Sequence, residues 1–120
     1  MPLKLRVQNL TRAVSLADRA DIANTSATRR TGLPKHSQLA AGEGLWIVPC
    51  EAVHTFRMKF PIDVLFLDKK RKILKMRPAM KRSKMAFCLR AHSVLELPSG
   101  TCESTGTVRG DQLELEKFEV

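Results

Sequence analysis

Three side chains able to hold a metal or act as nucleophile and base recur at intervals of four: Cys50, His54 and Met58. On one continuous strand they share parity, and on a helix they share a face. Thiolate, imidazole and thioether are soft or borderline donors of the kind copper sites use. A soft-metal or redox centre at Cys50, His54 and Met58 is therefore one expectation. The plainer reading has Cys50 and Met58 filling core while His54 bonds backbone, because Pro49 and Pro61 interrupt the segment. A cysteine–histidine hydrolytic pair, with Asp63 orienting His54, would further need an oxyanion hole.

A second constellation consists of His54, Thr55, Arg57 and Asp63, which could line a polar patch for a ligand. Asp63 opens the apolar run Ile62–Leu67, and a buried carboxylate without partners is costly. It either accepts from backbone donors or faces a ligand or Arg57. Glu96 alternates with Leu95 and Leu97, which puts it on the solvent face of a strand with Arg90 or a lysine of the 69–84 stretch as partner. Trp46 lies in a run that is apolar on both sides and reads as core.

Other chemistry is absent from the sequence. There is no GxGxxG or GxxxxGK[ST] phosphate loop, and Pro98-Ser99-Gly100 lacks the GxSxG nucleophile elbow. No CxxC, HxxxH or HxH supplies zinc spacing. No cofactor is expected, and no complete catalytic set is visible. The leading expectation is a non-enzymatic accessory domain that binds a small molecule or a protein partner through His54, Arg57 and Asp63.

The charge is concentrated in one segment. Between Arg57 and Arg90 stand twelve basic residues and two acidic ones, against nine basic and ten acidic elsewhere, so the net +9 belongs to that stretch. Such a block attracts phosphates or acidic surfaces. Nonspecific nucleic-acid contact through the 57–90 segment, above all Lys69, Lys70, Arg71 and Lys72, is a third expectation. Only Phe87 lies within 69–90 as a stacking platform, and a lysine-rich hairpin also serves simply to keep a sheet edge from pairing with others.

These residues need a scaffold. A chain of 120 residues, 43% hydrophobic, suits one domain. No apolar run reaches the ~20 residues of a membrane helix, so no membrane partner is expected. The alternating start Leu3-Lys4-Leu5-Arg6-Val7 is unlike a secretory leader. Three cysteines without CxxC spacing suit a reducing cytoplasm. Period-two alternation predicts a strand over Leu3–Val7, and Ala13–Ala17 a second short one. Leu45–Val48 reads as a fully buried strand and Val53–Met58 as extended. Ile62–Leu67 and Ile73–Arg77 form a hairpin about the charged turn 68–72. Further strands are expected over Phe87–Leu89, Ser93–Leu97 and Gln112–Lys117. Short helices are expected from Thr25 or Ser26 through Arg30, over Lys35–Leu39, and from a Thr101 cap to Thr105. The fold class is α+β, mainly β, with a small barrel-like sheet and two or three short helices.

Gly44-Leu45-Trp46-Ile47-Val48-Pro49-Cys50, Val53-His54-Thr55-Phe56, Met58, Phe60-Pro61-Ile62-Asp63-Val64 and Phe66-Leu67-Asp68 together resemble the conserved block of the DUF192 (UPF0127) family. Thr28, Arg30 and Gly32-Leu33 upstream match it too, as do Val94–Pro98, Gly100-Thr101 and Gly110-Asp111 downstream. The resemblance covers roughly residues 22–116. It implies a small α+β domain with a β-barrel-like core and carries almost no functional information. Arg71 departs from the glycine usual in the hairpin turn, and the 69–84 stretch is more basic than the family pattern.

Overall fold

The computed structural model describes residues 3–26, 28, 39–55, 58–82 and 84–120. Nine strands and one helix are formed among them: β1 (Leu3–Asn9), β2 (Val14–Ala23), β3 (Glu43–Ile47), β4 (Ala52–His54), β5 (Ile62–Leu67), β6 (Ile73–Met80), β7 (Met85–Phe87), β8 (Ser93–Pro98), α1 (Thr101–Thr105) and β9 (Leu113–Glu119). Seven strands make one sheet in the order β6-β5-β8-β3-β2-β1-β9, and β4 pairs with β7 in a separate ribbon. Every pairing is antiparallel except β2 with β3.

The sheet divides the interior in two. Odd residues of β5 and β8 (Leu65, Leu67, Leu95, Leu97) join Leu5, Val7, Trp46, Ile73, Cys102 and Leu113 in a first cluster, around which the sheet curls and against which α1 packs. Even residues (Ile62, Val64, Phe66, Val94) face the other way and meet Val53 of β4 and Ala86 of β7 in a second cluster. Because both faces are covered, all six residues of β5 are buried. Period-two reasoning about a solvent face fails for such a strand.

Two expectations need correction. The sheet is curled but open. Its edge strands β6 and β9 approach at a single bridge, Lys72 with Gln112, so it is not a barrel. The chain leaves that corner through the turn at Gly110, whose N–H bonds to the Ile73 carbonyl, and no ladder forms beyond it. Two or three short helices are likewise not supported: α1 is the one helix with defined bounds among the described residues, although Ser26 and Thr28 are themselves helical. The helical stretches expected through Arg30 and over Lys35–Leu39 lie largely outside those residues. Thr25 does make the expected capping contacts, its Oγ1 accepting from the Thr28 N–H at 3.1 Å.

Two local conformations follow from tight geometry. Arg71 has φ 70°, in the left-handed region that favours glycine. Asp68 holds this turn by accepting from the N–H groups of Lys70 and Lys72 at 2.8 and 2.9 Å. The Arg71 guanidinium lies over the Trp46 ring, 4.8 Å from its centre. At Gly44, a Cβ would stand 2.9 Å from the Glu96 carbonyl oxygen and 3.1 Å from a Leu97 methyl. Gly44→Ala is therefore expected to cost about 1–3 kcal/mol by overpacking. Guanidinium denaturation would show this as a lower midpoint at unchanged slope. An unchanged midpoint would mean that β3 and β8 separate freely.

Candidate functional site

The structure separates the residues that sequence spacing grouped. Asp63 belongs to the first face of β5, opposite Leu97, and is 1% exposed. Its carboxylate accepts from the N–H of Ala79 at 2.8 Å, of Cys102 at 2.9 Å and of Gly100 at 3.4 Å. The expected Thr101 cap is thus replaced. Gly100 is the N-cap residue of α1 and carries no side-chain bond, while a carboxylate from β5 takes the first-turn donor instead. His54 lies on the exposed side of β4, whose Val53 points into the second cluster. The large sheet stands between His54 and the Asp63 carboxylate, so they share no patch. Arg57 falls outside the described residues.

Cys50 and Met58 both pack at the second cluster, Met58 within it and Cys50 at its margin. The Cys50 thiol donates to the Ala52 carbonyl at 3.1 Å. His54 faces away from that cluster. Among the described residues no three His, Cys, Asp or Glu side chains are grouped to hold a metal ion. Cys50, Cys88 and Cys102 form no disulfide with one another. No helix among these residues is long and apolar enough to cross a membrane.

Glu96 is the clearest departure from the sequence reading. It is buried, not on a solvent face, between Leu45 of β3 and Val64 of β5. Neither Arg90 nor a lysine of 69–84 reaches it. Burial alone pushes its carboxyl up to about 7, because an apolar surrounding disfavours the charged form.

A cleft of about 490 Å³ opens elsewhere, where β3 and β5 run out beside the start of β8. Pro49, Cys50, Glu51, Lys69, Arg90, Ala91 and His92 line it. The backbone fixes this arrangement: His92 N–H bonds to the Leu67 carbonyl at 2.8 Å and Cys50 N–H to the His92 carbonyl at 3.1 Å. Among the described residues three buried polar side-chain atoms lack a hydrogen-bond partner, His92 Nδ1, Ser93 Oγ and Trp46 Nε1. Ser93 follows His92 directly and precedes by two residues Leu95, the cross-strand partner of Trp46. Buried polar atoms are ordinarily satisfied, and of these three residues only His92 lines the cleft. The His92 imidazole is held below its usual value, first by burial and then by the charges of Arg71 and Lys69, with Asp68 opposing. It is neutral at pH 7 and offers one N–H donor and one acceptor.

The charges around the cleft are unbalanced. Lys4, Arg6, Arg12 and Arg19 each pair with a carboxylate. Among the described residues no basic side chain of 57–90 does so. The two acids of that segment are engaged in backbone bonds, Asp63 as above and Asp68 in its turn. Sequence reasoning missed the cleft because its residues are scattered over 49–51, 69 and 90–92. The one available signal was the basic excess.

A curled, open seven-stranded sheet with a two-stranded ribbon over one face and a basic cleft at one end defines a small β-rich domain without an assembled catalytic set among the described residues. The chain belongs to the DUF192 family, described as Uncharacterized ACR, whose pattern matches residues 7–115. The structure is similar to a protein of unknown function from Novosphingobium aromaticivorans DSM 12444, with a TM-score of 0.79 at 20% identity over 92% of this chain and 83% of that one. It is also similar to a Sinorhizobium meliloti 1021 protein named as a candidate transcription regulator, with a TM-score of 0.81 at 21% identity over 94% and 92% of the two chains. At such identities the likeness concerns the fold alone. No curated protein matches the chain.

Proposed function

We propose that the protein is a non-enzymatic binding domain whose ligand is a small anion, held in the cleft of Lys69, Arg90 and His92. The observation that carries this reading is the buried, unpartnered His92 Nδ1 beside a cleft lined by two cations. A volume of about 490 Å³ falls in the range of small-molecule sites. Lys69 and Arg90 would supply charge, Arg90 with a planar fork suited to phosphate or carboxylate. The neutral imidazole would add a directional donor that does not depend on net charge. Glu51 at the rim disfavours ligands whose negative charge extends toward it.

Inorganic phosphate is the probe for the test, read by calorimetry and thermal unfolding at constant ionic strength. Lys69→Glu with Arg90→Glu is expected to remove phosphate binding, and His92→Ala to weaken it about fivefold or more, as loss of one charge-assisted bond requires. His54→Ala should leave it unchanged. Phosphate also stabilises proteins by exclusion from their surfaces. Equal thermal shifts in the wild type and the double variant would therefore overturn the proposal.

A further inference from the structure

The β4–β7 ribbon carries a row of apolar side chains that its own alternation leaves outside. Met85 and Phe87 of β7 are 65% and 60% exposed, and Leu89, two residues on, is 75% exposed. Ala86 between them is buried in the second cluster. Lys75 of β6 joins this row to the large sheet. Its Nζ donates to the Phe87 carbonyl at 2.8 Å and lies 5.4 Å from the centre of the Phe87 ring. From there a groove of about 580 Å³ crosses β6, with Leu74, Met76, Pro78 and Val108 as its apolar lining and Lys75 and Arg109 as its cations. A second depression of about 370 Å³ shares Met76, Pro78 and Val108 and continues toward α1. Single exposed apolar side chains are ordinary, but a contiguous row leading into an apolar groove marks an interaction surface. Phe, Met and Arg are residue types enriched at such surfaces.

Charge specifies the occupant. Lys81, Arg82 and Lys84 lead into β7, Arg90 follows it, and none has a carboxylate partner among the described residues. We propose that this row and groove dock an extended segment of a protein partner in which apolar residues are flanked by Asp and Glu. The segment lies in the groove and does not extend the sheet, because the free edge of β6 carries Lys75, Arg77 and Pro78, which oppose strand addition. A bilayer would be met by a convex apolar surface, and duplex phosphates would be met by cations alone. A shallow apolar strip between cations fits neither as well as a peptide.

The test selects a random dodecapeptide library, displayed on phage, against the whole protein. Enriched peptides should combine at least two apolar with at least two acidic residues. Synthetic copies, followed by fluorescence anisotropy, should bind the Phe87→Ser/Leu89→Ser variant about tenfold or more weakly, as loss of an interface anchor demands. Arg109→Glu should weaken binding about fivefold, more so at low salt. All three side chains are exposed, and circular dichroism checks that the fold is retained. No enrichment, or peptides that bind the variants as well as wild type, overturns the proposal. So does binding to phosphatidylserine vesicles or to a random DNA duplex without any enriched peptide, which would assign the surface to lipid or nucleic acid.

Discussion

Glu96→Gln is expected to stabilise the protein at pH 8 by about 3 kcal/mol while leaving it nearly unchanged at pH 4. The Glu96 carboxyl has an ordinary value of 4.5, and burial pushes it up to about 7 in the folded chain. Below pH 4.5 the group is protonated whether the chain is folded or not. As pH rises toward 7 the unfolded chain releases its proton and the folded chain does not, so stability falls through that window. Above 7 the loss is complete, at about 1.4 kcal/mol for each unit of difference. Glutamine keeps the shape and never ionises, which removes this slope. Guanidinium denaturation of both proteins from pH 4 to 8.5 measures the effect. Parallel stability profiles would show that Glu96 stays ionised in the fold with a compensating partner.

Asp63→Ala is expected to cost about 3–5 kcal/mol. The substitution leaves the N–H groups of Ala79, Cys102 and Gly100 without their acceptor, and each buried orphan costs about 1–3 kcal/mol. The Gly100 contact is long at 3.4 Å and adds least. A loss of this size should lower the melting temperature by roughly 15 °C or more in a domain of this length. Asp63→Asn retains one acceptor oxygen and should lose less. A second readout lies in α1 itself. Cys102 is buried there, and its thiol is pushed up to about 12 by burial and by the neighbouring Asp63 charge. In the wild type it should resist thiol reagents. In Asp63→Ala it should react faster, because α1 loses its anchor and the thiol loses an opposing charge. Unchanged melting together with unchanged thiol protection would contradict the role given to Asp63.

The function proposed for the cleft and the docking surface proposed for β6 and β7 draw on one property in different ways. The cations of 57–90 that lack a carboxylate partner among the described residues give attraction, and the local shape decides what is attracted. At Lys69, Arg90 and His92 two cations stand beside a neutral imidazole, which favours a compact anion. Along Met85, Phe87 and Leu89 the surroundings are apolar and extended, which favours a chain. Lys69–Lys72 on the exposed hairpin turn contribute to the general field. Reversing Lys70 and Lys72 there is a useful control, because neither lines the cleft or the groove.

Sequence alone determined the elements whose signal is local. Ile62–Leu67 was legible to the residue, since an apolar run after proline is written in neighbouring positions, and the short helix that Gly106 ends at Thr105 was legible in place though not in its cap, which falls at Gly100 and not at Thr101. The charged 68–72 turn, the excess of cations and the absence of known motifs were legible for the same reason. So was the family, from a block of contiguous residues. The tertiary structure decided everything that depends on which face of a strand is covered. The ribbon of β4 and β7 lies over the second face of the large sheet, so Glu96 is buried where alternation predicted solvent, and His54 and Asp63 are parted by a sheet that no spacing reveals. It also decided that the sheet stays open, because closure depends on how β6 and β9, at opposite ends of the strand order, turn away after one bridge. The cleft at His92 was invisible for the same physical reason: its lining comes from three separate stretches, brought together by tertiary hydrogen bonds such as those from Cys50 to His92, from His92 to Leu67 and from Cys88 to Glu51.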